Sequence, residues 1–136
     1  MSAKNVLAVL WLIAMAVTVV MPNTVQAQSA ERLNAPAEAY KKGDYATAHT
    51  LWLELAGEGN RGAYFNLGLM AQYGRGVALD LVDAYKWYSL AAQAGLPQAE
   101  SAIFKMKPYM ADSDLKEAEW RVERWYSQNP SLRRGG

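Results

Sequence analysis

Two stretches of the chain repeat one pattern at a spacing of 36 residues, and that spacing limits the fold more than any single residue does. Asp44, Ala48, Trp52, Ala56, Gly59, Ala63 and Leu67 fall in register with Asp80, Ala84, Tyr88, Ala92, Gly95, Ala99 and Ile103. A period in this range marks a helical repeat. Units of this kind cannot bury their apolar faces alone, so they stack, and the product is a curved surface that holds another molecule.

The first segment is of a different kind. Lys4 supplies a lone positive charge, Val6 to Met21 is apolar apart from Thr18, and Pro22 follows. Val25-Gln26-Ala27 then places small residues where a signal peptidase reads them. This is the pattern of a secretory signal peptide over residues 1–27, cleaved after Ala27. The rival reading, a retained membrane anchor, needs about 20 apolar residues, and the run falls short. Lys4 is the only charge removed by cleavage, which leaves the basic and acidic residues balanced; bulk charge then points neither to nucleic acid nor to an anionic membrane. The chain has no cysteine, which excludes disulfides and thiol chemistry. Export predicts a periplasmic or secreted protein with no integral membrane span once the signal is gone, and the remainder is long enough for one domain.

Helix signals divide that remainder. Gln28 to Pro36 is small and polar and reads as a flexible lead, with a repeat domain over 37–128 and a disordered tail over 129–136. A helix over Ala37 to Lys42 is broken by Gly43-Asp44, where Asp44 caps the next helix, Tyr45 to Ala56. Along it Ala48, Leu51, Trp52 and Leu55 recur at helical steps and form a buried face. Ala63, Leu67 and Ala71 share a stripe on the following helix, which stops at Gly74-Arg75-Gly76, after which Val77 returns to the core. Asp80 caps a helix whose inner face is Ala84, Tyr85, Tyr88, Ala91 and Ala92, ending at Gly95. Pro97 opens another helix, which runs to Pro108. The last begins at Asp112 to Asp114 and carries Leu115, Ala118, Trp120, Val122 and Trp125.

Leu67-Gly68, Gly74-Arg75-Gly76-Val77, Asp80, Ala84, Trp87-Tyr88 and Ala91-Ala92 together resemble the Sel1-like repeat, a relative of the tetratricopeptide repeat. The similarity covers Ala63 to Gly95 best and Ala37 to Gly59 less well, with Leu51 in place of a tryptophan and the stretch Ala39-Tyr40 to Gly43-Asp44-Tyr45 more like a tetratricopeptide unit. The resemblance implies an all-α fold, a right-handed α-solenoid of helix pairs closed by a C-terminal capping helix. Small residues at Ala63, Gly68, Ala84, Ala91 and Ala92 let helix axes approach, and Trp87 or Tyr88 fills the wedge. Ala71 departs from the tyrosine usual in the family, with Tyr73 two residues on as its substitute.

Candidate chemistry is thin. His49 is the only histidine and has no ligand-spaced neighbour, so no metal is expected. Gly74-Arg75-Gly76 follows a helix and lacks the remaining elements of a phosphate loop. Glu119 and Glu123 lie four apart but among Lys116, Arg121 and Arg124, which is a charged outer face. No serine occupies a nucleophile-elbow context. The methionines and tryptophans at helical spacing suit packing, so no cofactor and no catalytic residue is expected. What remains is surface. Phe65, Asn66, Leu69 and Gln72 point away from the Ala63–Leu67–Ala71 stripe, with Lys105 on a later helix at their edge. Their apolar members fit a patch that binds a protein or peptide, and equally a packing contact with a neighbouring helix. The sequence therefore leads to an exported interaction protein or regulator. A cell-wall or β-lactam-processing enzyme, and a factor binding envelope glycans or a host protein, are the alternatives.

Overall fold

A computed structural model describes residues 21–133. Among them there are six α-helices and no strand: α1 Met21–Lys41, α2 Tyr45–Gly57, α3 Arg61–Tyr73, α4 Leu81–Gln93, α5 Pro97–Met106 and α6 Asp112–Gln128, with 3-10 turns at Lys107–Tyr109 and Pro130–Leu132. The segment expected as a signal peptide lies outside the described residues up to position 20. None of the helices described is long and apolar enough to cross a membrane. The chain divides between Asn34 and Ala35 into two compact units.

α1 begins at Met21 and includes the stretch 28–36 read as a lead, with its residues up to Asn34 in the first unit. Gln26 to Leu33 contains good helix formers and no glycine. Pro22 sits in the first turn, where its missing N–H removes no helical bond. The side chains from Thr24 to Asn34 are exposed.

In the second unit, Asp44 and Asp80, 36 residues apart, both cap helices. Asp44 caps α2 by accepting from the Thr47 N–H at 3.2 Å, and Asp80 caps α4 by accepting from the Asp83 N–H at 2.9 Å. Asn60 does the same for α3 at the Ala63 N–H, 2.9 Å away. Each carboxylate or amide satisfies a donor that the helix start would otherwise leave unpaired. Ala48, Trp52, Leu55 and Ala56 of α2 are buried, as are Ala63, Tyr64, Leu67, Met70 and Ala71 of α3. α4 is the centre of the unit: it packs against α3, α5 and α6, and it buries Ala84, Trp87, Tyr88, Leu90 and Ala91. Gly68 sets the approach of α3 to α4, because a Cβ there would stand 2.6 Å from the Tyr88 ring. Gly76, at φ +73°, brings the loop before α4 against α2; a Cβ there would lie 2.8 Å from the Tyr45 carbonyl oxygen. Val77 packs on the core beside it.

Four side chains differ from expectation. Trp120 is 53% exposed, because α6 docks through Ala118, Val122 and Trp125, spaced four and three apart, and two residues on from Ala118 is the opposite face. Tyr73, expected to fill the space beside Ala71, is instead 59% exposed at the end of α3. At the chain's end, within the stretch read as a tail, Leu132 is half-buried over Gly59 and Arg133 pairs with Glu123. Residues 134–136 lie outside the described residues.

Candidate functional site

The four expected surface residues of α3 share one side of that helix, and Tyr88 of α4 supports them from within. The Phe65 ring leans on the Tyr88 ring with centroids 5.3 Å apart. The Tyr88 hydroxyl donates to Gln72 Oε1 at 2.6 Å. Burial pushes the Tyr88 hydroxyl pKa far above its ordinary value, so Tyr88 remains a neutral donor over the whole physiological range. Asn66 Nδ2 donates to the Gly62 carbonyl at 2.9 Å. Phe65 and Leu69 are half-buried and pack partly on the core. The packing contact and the open surface foreseen as alternatives therefore occur in the same side chains: one edge of each is covered and the other faces out. Lys105 is exposed on α5.

A second constellation lies where α6 meets the start of α4, and it is ionic. Asp83 Oδ1 accepts from Lys86 Nζ at 2.6 Å, and Asp83 Oδ2 accepts from the Trp87 indole N–H at 2.9 Å. Lys86 Nζ stands 3.9 Å from the Trp87 ring centroid, so its ammonium meets both a carboxylate and a π face. Burial lowers the Lys86 pKa, opposed by Asp83. Arg121 reaches across from α6: its Nη1 donates to Asp80 Oδ2 at 3.0 Å and its Nε to Glu117 Oε1 at 2.9 Å. Burial alone would raise the Asp80 pKa, but the hydrogen bonds from the Asp83 N–H and Arg121 prevail and hold it below the usual value. Asp80 is thus a helix cap and an interhelical anchor together. Half-buried His49 on α2 has its pKa lowered chiefly by burial; the attraction of Asp83 opposes this and Lys86 adds to it.

The Trp87 ring continues into an aromatic cluster, stacked on Tyr64 at 6.0 Å and edge-on to Trp125 at 4.9 Å. A third cluster fixes the loop before α4. Arg75 donates to the Tyr40 hydroxyl and lies over the rings of Tyr40, Tyr45 and Tyr73, 5.7–6.0 Å from their centroids. The turn glycines signal that loop in the sequence; the seating of Arg75 among these tyrosines is shown by the structure alone.

Shallow grooves flank α6. One of about 380 Å³ is lined by the ionic constellation with Trp120, Arg124 and Gln128, and one of about 670 Å³ by Trp120, Arg124, Tyr126, Pro130 and Arg133. Arg124 covers the exposed Trp120 ring at 5.2 Å. Among the described residues no group of three or more histidines, cysteines or carboxylates is placed to hold a metal ion. The ion pairs described form between groups of the chain itself, and the one from Arg121 to Asp80 ties α6 to α4. Compared with family models and with curated proteins, the chain finds no match.

Proposed function

We propose that the protein is an exported, Sel1-like repeat adaptor whose helix pairs stack as a right-handed α-solenoid in the bacterial envelope. It holds a protein or peptide segment on the α3 face formed by Phe65, Asn66, Leu69 and Gln72, with Lys105 at the edge. One observation carries the reading: two apolar side chains remain half-open on a face whose backing is fixed by a buried, hydrogen-bonded tyrosine. An interface held rigid before binding loses less entropy when a partner arrives. The adjoining amides of Asn66 and Gln72 suit recognition of an extended or helical segment with polar backbone groups. No catalytic role is proposed.

The test is a photo-crosslinking amino acid at Leu69 in an exporting host, with Leu69→Ser as the loss variant. Removing a central apolar anchor costs about 2 kcal/mol or more in binding. Loss of a half-covered leucine from the fold costs about 1 kcal/mol, so the variant should fold and fail to compete for the crosslinked partner. A Leu69→Ser chain that folds and competes as the parent does would place binding elsewhere.

A further inference from the structure

The repeat register shows what α5 has become. The face of α3 that α4 covers carries Tyr64, Gly68 and Ala71, all buried. Thirty-six residues on, the same positions of α5 and its C-cap hold Glu100, Phe104 and Lys107. α6 does not seat there as α4 seats on α3; it packs on α4 instead. The stripe is therefore open: Phe104 is 81% exposed, Glu100 and Lys107 are exposed, and Ile103 beside them is half-buried. Tyr109 in the following turn is 82% exposed. Lys107 keeps helical dihedrals (φ −50°, ψ −40°), so it belongs to the stripe. A repeat end that only met water would be polar throughout, and a phenylalanine at its centre is not.

The order of charges identifies the occupant. Read along the stripe it is acid, aromatic, base, a pattern that complements itself when reversed. We propose that this face is the contact between two copies of the chain, α5 against α5 in antiparallel orientation about a twofold axis. An axis passing between Ile103 and Phe104 sets Phe104 of each copy on Ile103 of the other and Glu100 of each opposite Lys107 of the other. This is the closed, isologous arrangement that homodimers use. Neither Glu100 nor Lys107 has an ion pair within the described residues, so both are available. A helix of this length spans about 15 Å. The interface therefore belongs to the small class, below about 1,200 Å², and forms a weak dimer, populated at about 0.1–1 mM.

Sedimentation equilibrium of the chain as purified from an exporting host tests this. The parent should show a concentration-dependent dimer. Phe104→Glu should raise the dissociation constant at least about 30-fold, while its circular dichroism stays that of the parent. Glu100→Lys and Lys107→Glu singly should each weaken the dimer about tenfold by setting like charges opposite one another. The double variant Glu100→Lys/Lys107→Glu restores both pairs and should return the constant to within about threefold of the parent. A chain that stays monomeric at about 1 mM overturns the proposal, as does a dimer that Phe104→Glu leaves intact. A double variant no tighter than the singles overturns the antiparallel register.

Discussion

Gly68→Ala pits two effects of opposite sign against each other at one position, and the geometry decides between them. In an exposed helix interior the change would stabilise by about 1 kcal/mol, because alanine loses less backbone entropy than glycine. Here the new methyl would stand 2.6 Å from both Cδ1 and Cε1 of Tyr88, about 1 Å inside ordinary contact. Tyr88 cannot swing aside: it is fully buried, its hydroxyl is bound to Gln72, and its ring abuts Phe65. α3 and α4 must therefore separate, an overpacking cost of about 1–3 kcal/mol. Since that penalty operates at a buried glycine on the most extensive helix contact of the unit, we expect a net loss of about 1–2 kcal/mol, or a melting temperature lower by about 4–12 °C. Urea unfolding followed by circular dichroism measures it, with Gly57→Ala as the control, since nothing lies within 4 Å of a Cβ there. In a Tyr88→Ala background the penalty should vanish, leaving the ordinary helix gain. A Gly68→Ala chain as stable as the parent would refute the close-approach account of how α3 meets α4.

Trp87→Ala should destabilise by about 3–5 kcal/mol in urea unfolding, since it removes the ring that joins Tyr64, Lys86 and Trp125 and leaves Asp83 short of a donor. Acid should weaken the fold in two steps. His49 is held below its ordinary pKa by burial, so its contribution is complete above about 6.5 and declines as pH falls through the lowered folded value; His49→Gln should abolish this first step. Asp80 is also held below its unfolded value, so its contribution is complete above about 3.8 and is lost as pH falls further; Arg121→Gln should shrink this second step in a pH series of urea midpoints.

Local chemistry made most of the helices legible. The caps at Asp44 and Asp80 and the breaks at Gly43, Gly74 and Gly95 involve only neighbours in the chain, so the sequence displays them directly. The close approach at Gly68 was readable because a glycine on a helix stripe has few other uses. Trp120 suits the core by its hydrophobicity, and only its position two residues on from Ala118 sets it outside. The start of α1 is not legible in the sequence, because a polar, alanine-bearing stretch has the composition of a lead and of an exposed helix alike. Contacts between Arg121 and Asp80, 41 residues apart, and between Arg75 and Tyr40, 35 apart, leave no local trace. They depend on how helices are set against each other, which a single sequence does not spell out.

The aromatic cluster at Tyr64, Trp87 and Trp125 gives the molecule an optical signal of its own. Trp87 and Trp125 belong to helices joined only by tertiary packing, with ring centroids 4.9 Å apart, so their coupled near-ultraviolet dichroism exists only while α6 sits on α4. Trp52, among Tyr40 and the buried face of α2, reports the opposite end of the unit. An element that buries few side chains, as α6 does with Ala118 and Val122, opens at lower free energy than the core. The tryptophan signal thus separates release of the last helix from loss of the whole fold, with no label added to the chain.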